Sequence, residues 1–165
     1  MITFRAIKPG AFNLKALEKE IRDAQRTWMT KVVKEYQGTT KHWKHRVAFT
    51  GRMSERGMVT TVEVGTDDEI YGYVDEGTKP HTIRPKRPGG VLAFPSVSAP
   101  KTKPGSLKSG AGKSGGPTVF TREVHHPGTK ARKFSKQIKK KMEPVLEADI
   151  QNAMGRGVKK SGYGM

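Results

Sequence analysis

Two stretches, one near each end of the chain, carry apolar residues at steps of three and four, the spacing that lines one face of a helix. The first begins at Asn13, a residue type that caps helix starts, and runs to about Tyr36, where Gly38 predicts its end. The second spans residues 131–154, and its stripe continues across Pro144, which favours one kinked helix over two. The stripes are Leu14, Leu17, Ile21, Ala24, Trp28 and Val32, then Phe134, Ile138, Met142, Val145, Leu146, Ile150 and Ala153. The sequence therefore predicts a long helix at each end of a domain.

Between these helices the apolar spacing shortens to that of β-strands. Trp43, Val47 and Phe49 predict one strand, and the alternation that ends at Val64 predicts a second, with residues 51–57 as their turn. The polar run 66–69 predicts the next reversal, before a strand from Ile70 to Glu76. A small antiparallel meander is expected.

A proline-rich segment, residues 79–90, follows and predicts an extended basic arm. Val91 to Phe94 and Thr118 to Val124 are short strand patterns expected to pair as a hairpin. Their connection, residues 97–117, is rich in glycine and lysine and is expected to be a flexible loop that becomes ordered against a partner. The cations expected to contact a neighbouring subunit or DNA are Arg84, Lys86, Arg87, Lys101, Lys103, Lys108 and Lys113.

Composition sets the class of the protein. The 165 residues contain 33% hydrophobic residues and no cysteine, which suits one α+β domain over residues 1–155 with a flexible tail at 156–165. Lysine and arginine number 32 against 15 acids, a formal charge of +17 that attracts nucleic acid or an acidic protein. The first ten residues do not resemble a signal peptide and no run suits a bilayer, so we expect synthesis in the cytoplasm and no membrane partner.

Catalytic patterns are weak. The tripeptide Gly112-Lys113-Ser114 matches the end of a phosphate-binding loop, but Leu107 stands where the pattern needs glycine. The histidines form no metal-binding spacing, although Asp75 and Glu76 with a distant histidine are the components of a metal-dependent nuclease. We expect a protein that is not an enzyme and takes no cofactor.

Two motifs carry a resemblance to a known family. Tyr73-Val74-Asp75-Glu76-Gly77-Thr78, expected to close a strand, and His126-Pro127-Gly128-Thr129-Lys130-Ala131-Arg132-Lys133-Phe134, expected to start the last helix, resemble the tail-component proteins of long-tailed bacteriophages. The residues that carry the resemblance are Tyr73, Val74, Glu76, Gly77, Thr78, Pro127, Gly128, Thr129, Ala131, Arg132 and Phe134. The chain departs from the family in Lys133, where proline is common, and in its glycine- and lysine-rich insertion.

The resemblance implies a structural virion protein of the tail or neck. Such a subunit forms a homo-oligomeric ring, expected to be a hexamer, that completes the tail or joins it to the head. Other neck, connector or tail-tube proteins would be its partners, and the basic loop would contact acidic protein faces or the DNA in the channel. A sequence-nonspecific DNA-binding protein is the alternative, and the metal-dependent nuclease is a third.

Overall fold

The chain has a long helix near each end, and the strand pairs lie between these helices in the sequence. The computed structural model describes residues 12–57, 59–107 and 110–163. Its helices are α1 Leu14–Thr40, α2 Glu69–Glu76 and α3 Phe134–Lys160. Its strands are β1 Thr50–Arg56, β2 Val59–Gly65, β3 His81–Ile83, β4 Leu92–Ala99, β5 Lys113–Thr121 and β6 Val124–His126. The predicted α+β class with N- and C-terminal helices is confirmed.

The strands form pairs rather than the predicted meander. Within the described ranges, β1 pairs with β2, β3 with β6 and β4 with β5, each antiparallel and each a separate two-stranded sheet. The β1–β2 sheet packs on α1. The other two pairs follow one another along the same two segments of chain, as a ribbon between α2 and α3.

Helices α1 and α3 pack antiparallel and form the main body. Near one end Gly157 approaches Leu17, and near the other the Lys141 ammonium pairs with the Glu35 carboxylate at 2.7 Å. Between these points the Trp28 indole Nε1 donates to the Met142 carbonyl at 2.8 Å. The helices are therefore held by close backbone approach, a buried stripe and polar contacts along their flanks.

Acidic side chains of α1 are paired with cations of α3. Glu20 accepts from Arg156 and Lys160, and these contacts, with the Lys160 hydrogen bond the larger cause, lower the Glu20 pKa to about 2. The carboxylate therefore stays charged down to strongly acidic pH and keeps the last turn of α3 attached to α1.

The ends of both long helices differ from the predictions. Asn13 caps α1 as expected, its side chain accepting from Ala16 N at 3.1 Å, but α1 continues past Gly38 to Thr40. Thr39 is buried there and its hydroxyl donates to the Tyr36 carbonyl at 2.7 Å. The single helix across Pro144 is confirmed. The prediction of a flexible tail from residue 156 is wrong for residues 156–160, which belong to α3. In this last part of the helix, Arg156 and Lys160 form ion pairs with Glu20 of α1.

Three predicted elements of the central region are wrong. The strand expected over Trp43, Val47 and Phe49 is irregular chain, since β1 begins at Thr50, and Phe49 is buried in the core. Residues 51–57, expected to be a turn, lie mainly in β1, where Gly51 lets the strand approach α1: an added Cβ would lie 2.7 Å from Met29 Cγ. The segment expected to be a strand ending at Glu76 is α2, which Asp68 caps by accepting from Tyr71 N at 2.8 Å. Hydrogen bonding, chiefly from His45, lowers the Asp68 pKa and keeps this cap charged.

Tyr71 lies at the centre of the core. Its ring contacts Phe49 edge-on at a centroid distance of 5.0 Å and Phe134 at 5.9 Å, with Tyr36 and Trp43 slightly farther away. Burial raises the pKa of the Tyr71 hydroxyl far above its ordinary value. The aromatic cluster joins α1, α2 and α3, so each of the three helices depends on it.

The contact between α1 and α3 at Gly157 generates a matched test. Replacing Gly157 by alanine places a Cβ 2.8 Å from the Leu17 Cα, whereas nothing lies within 4 Å of a Cβ added at Gly155. We expect Gly155→Ala to raise the free energy of unfolding by about 0.5–1 kcal/mol through helix propensity. Gly157→Ala should lower it by about 1–3 kcal/mol through overpacking. Urea denaturation followed by circular dichroism measures both, and equal stabilisation by the two substitutions would contradict the close approach.

Candidate interaction surfaces

The two motif segments, more than fifty residues apart in the chain, meet in a junction. Thr78 N donates to the Thr129 carbonyl at 3.0 Å, and Thr129 N donates back to the Thr78 carbonyl at 3.2 Å. Farther along, Arg132 N donates to the Val74 carbonyl at 3.0 Å and Lys133 N to the Asp75 carbonyl at 2.9 Å. We call residues 74–78 and 128–135 the junction.

Two glycines allow the junction to close. An added Cβ at Gly128, whose φ is +85°, would lie 2.2 Å from the Thr78 carbonyl oxygen. One at Gly77, with φ of +81°, would lie 2.5 Å from the Thr129 carbonyl oxygen. Both positions combine a left-handed backbone with contact to backbone atoms that cannot move aside, so only glycine fits.

The junction also starts α3. The Asp75 carboxylate accepts from Ser135 N at 3.2 Å and from the Ser135 hydroxyl, and so caps the first turn of the helix. Lys133 occupies a left-handed conformation with φ of 58°, which turns the chain from the junction into the helix. Phe134 is fully buried at the start of the helix. Asp75 thus has a structural contact that the sequence alone does not predict.

The remaining motif residues lie around this centre. Val74 packs against the core and Ala131 lies beside Gly77, whereas Tyr73, Glu76 and Pro127 are exposed. The motifs therefore divide into residues that build the junction and residues that face solvent.

Beyond the junction the chain forms a ribbon that ends in the β4–β5 hairpin. His81 pairs with His126 in the first part, and their rings stack at 5.1 Å. In the second part the register runs from Leu92 opposite Thr121 to Ala99 opposite Lys113, with a bulge between Pro95 and Val97. The predicted hairpin is confirmed. The predicted flexible loop over residues 97–117 is wrong at both ends, because residues 97–99 and 113–117 belong to the paired strands.

Both faces of the β4–β5 hairpin are exposed along nearly its whole length. Neither strand packs extensively on another helix or sheet of the described chain. Phe120 has 67% of its surface exposed, and it stands among other exposed apolar side chains. These are Val91, Phe94, Val97 and Val119. This density of exposed apolar groups on an extended element is typical of an interaction surface.

The connection of the hairpin, residues 100–112, returns to the body. Thr102 is buried, and Leu107 packs against the core. Gly110 N donates to the Lys101 carbonyl at 2.6 Å, which narrows the base of the connection. Although this connection is rich in glycine and lysine, Thr102 and Leu107 give it side chains that pack against the rest of the chain.

The predicted basic contact residues do not form one cluster. Arg84 pairs with Glu123 at 2.8 Å, and Lys86 and Arg87 lie exposed in the following turn. Lys101 and Lys103 lie in the connection, Lys113 begins β5, and Lys108 lies outside the described residues. The basic residues of the arm and of the connection are therefore separate surfaces.

A different cationic surface lies beside the junction. A cavity of about 300 Å³ opens between the connection of the hairpin and the first turns of α3. Its lining is Gly105, Arg132, Lys133, Lys136, Gln137 and Lys140. The sequence shows the basic first half of α3, but the cavity depends on the return of the connection, which composition does not predict.

The histidines and carboxylates are distributed over the surface. Across the described ranges, no group of three or more of these side chains is placed to hold a metal ion. In the same ranges, no helix is both long and apolar enough to cross a bilayer.

Comparison with known proteins gives no match to a protein-family model, a curated protein or a solved structure. The family resemblance of the two motifs stays a prediction.

The junction generates a second matched test. Gly89 also has a positive φ, +74°, but nothing lies within 4 Å of a Cβ added there. We expect Gly89→Ala to lower the free energy of unfolding by about 1 kcal/mol, the cost of the left-handed conformation alone. Gly77→Ala and Gly128→Ala should each cost about 2–4 kcal/mol, because they add backbone contact to the same strain. Equal losses at all three positions in urea denaturation would show that the junction is not tightly packed.

Proposed function

We propose that this chain is a structural subunit of a bacteriophage head–tail junction, where it forms a homo-oligomeric ring, expected to be a hexamer, that completes the tail or joins it to the neck. The observation that carries the proposal is the β4–β5 hairpin, which offers exposed apolar side chains on both faces. The resemblance supplies the phage setting, and it gains support from the direct contact between the two segments that carry it.

The hairpin needs a partner on energetic grounds. A two-stranded hairpin without a packed face is marginally stable in water. Burying a side chain such as Phe120 or Val97 against another subunit contributes about 1.5–3 kcal/mol each. Several such side chains on each subunit, repeated around a ring, add up to a stable assembly from individually small contacts.

The body offers an apolar groove that suits the hairpin of a second copy. The groove is a cavity of about 430 Å³ between α1, β2 and α3, and Trp28, Val62, Met142 and Leu146 are among its lining residues. Glu63 and Glu143 also line it, and neither has an ion pair among the described residues. Lys139 is the cation of this lining, which therefore carries two carboxylates and one ammonium group. The exposed apolar side chains of the hairpin match the groove in polarity, and Lys113 on β5 complements its excess of one negative charge.

A contact between the hairpin of one subunit and the groove of the next uses two different surfaces. Such a head-to-tail contact generates a ring when the rotation closes, whereas a contact of one surface with itself stops at a dimer. The hairpin and the groove therefore account for a ring, and the number of subunits depends on the angle between neighbours. The formal charge of +17 opposes this association, so the ring needs salt, acidic neighbours or nucleic acid to screen it.

Cross-linking tests the head-to-tail contact directly, because the chain has no cysteine of its own. We expect a mixture of Phe120→Cys and Leu146→Cys subunits to be joined by a short bismaleimide at raised salt. Phe120→Cys with Met154→Cys is the matched control, since Met154 is exposed on α3 but does not line the groove. A chain with both Phe120→Cys and Leu146→Cys should give a ladder that ends at the ring number. Cross-linking of Phe120→Cys alone with equal yield would overturn the head-to-tail arrangement.

The virion role is tested by complementation of a phage that carries an in-frame deletion of this gene. We expect separate heads and tails, or tails of abnormal length, in electron micrographs of the lysate, and intact particles after wild-type protein is supplied. Phe120→Asp should fail to restore particles. Val59→Asp should restore them, since Val59 is exposed on β2 and does not line the groove. Infectious virions formed without the protein would refute the proposal.

A further inference from the structure

One residue of the cationic cavity beside the junction, Arg132, is buried. Arg132 is 7% exposed, and its guanidinium Nε has no hydrogen-bond partner in the described part of the chain. No carboxylate of the described residues forms an ion pair with it. A buried cation without a counter-charge is costly, and a bound anion would remove that cost.

The lysines of the same cavity differ from those along the helix interface in their partners. Lys31, Lys141 and Lys160 each pair with a carboxylate between α1 and α3. In the described ranges, none of Lys133, Lys136 and Lys140 does so, and no carboxylate lines the cavity. Glu20, Glu35 and Asp149 neutralise cations at the helix interface, whereas the lining of this cavity contains cations and no acid.

The spacing of these lysines suits a chain of anions better than a single one. Lys136 and Lys140 lie about 6 Å apart along one face of α3, and Lys133 immediately precedes the helix and lines the same cavity. Phosphates of one DNA strand follow one another at about 3.4 Å along the helix axis. Three ammonium groups that line one cavity therefore match a few consecutive phosphates, with the planar Arg132 guanidinium at the base of the site.

The positive end of the α3 dipole contributes little to this site. Asp75 already accepts the hydrogen bond from Ser135 N at the start of this helix, so the dipole is partly compensated there. The anion site is built from side chains, one buried guanidinium and three ammonium groups, while the Gln137 amide in the lining donates to the Arg132 carbonyl at 2.8 Å.

We propose that this cavity binds the phosphate backbone of a nucleic acid, without regard to base sequence. The lining holds no aromatic side chain that would stack a base, which leaves charge as the means of recognition. The site needs only the folded subunit, so it goes beyond the ring and does not rest on it. An acidic polypeptide is the competing class of partner, and the experiment separates the two.

The test measures fluorescence anisotropy of a short labelled DNA duplex with the full chain at several salt concentrations. Lys136→Gln/Lys140→Gln removes two cations of the site, and Lys15→Gln/Lys19→Gln removes two exposed cations, also four residues apart, on α1. Both variants lower the net charge equally. We expect the first pair to weaken binding about tenfold more than the second and to reduce the slope of log affinity against log salt by about 2.

Arg132 is tested separately, because its burial links it to folding. Circular dichroism and thermal unfolding select conditions under which Arg132→Lys and Arg132→Gln are folded. We expect Arg132→Lys to retain part of the DNA affinity and Arg132→Gln to lose more, because lysine keeps the charge without the planar donor fork. If Arg132→Gln does not fold, the comparison of the lysine pairs decides the proposal by itself.

The remaining outcomes overturn the proposal. Equal loss of affinity in both lysine pairs would mean that DNA responds to the overall charge and that there is no site. Absence of DNA binding by the wild-type chain at about 50 mM salt would exclude nucleic acid as the ligand. Binding of polyglutamate under those conditions, weakened by Lys136→Gln/Lys140→Gln, would assign the cavity to an acidic protein. Because these measurements use the free subunit, their failure is distinct from a failure of ring assembly.

Discussion

The rest of the structure depends on the close backbone contact between Thr78 and Thr129, which joins segments fifty-one residues apart. Closing so long a loop costs conformational entropy. Paired backbone hydrogen bonds beside Gly77 and Gly128, together with the burial of Phe134 against Tyr71, offset this loss. The same contact ends α2, begins the ribbon and starts α3. A change that opened it would therefore disturb the helical body and the hairpin together.

The junction also explains why the interaction surfaces lie where they do. On one side, the aromatic core fixes α1, α2 and α3 as a body with an apolar groove. On the other, the ribbon carries the β4–β5 hairpin away from that core and returns Thr102 and Leu107 to it. The return of this connection encloses the cavity around Arg132, an arginine that is itself part of the junction. The position of the exposed hairpin and that of the cationic cavity thus both follow from the backbone contact between Thr78 and Thr129.

The sequence predicted the elements whose periodicity is long, and it failed where tertiary contacts override local pattern. The stripes of α1 and α3 extend over many turns and identify both helices. In α2, the tyrosines and Val74 favour a strand by composition, but the Asp68 cap and the burial of Tyr71 select a helix. In β1, Gly51 suggested a turn, whereas it permits contact with Met29. The junction motifs were found from sequence, and the cationic cavity was not, because it requires the connection of the hairpin to bring Gly105 beside α3.

The distribution of charge links the two proposals physically. Subunits with a formal charge of +17 repel one another, and the chain neutralises its cations mainly where α1 and α3 meet. Apolar burial of the hairpin supplies attraction that does not depend on salt, while the unpaired cations beside α3 supply repulsion that does. A polyanion bound at the Arg132 cavity would remove that repulsion without covering the hairpin or the groove. Nucleic acid would then promote ring assembly without lying between the hairpin and the groove. This promotion would become weaker at salt concentrations that screen the repulsion between subunits.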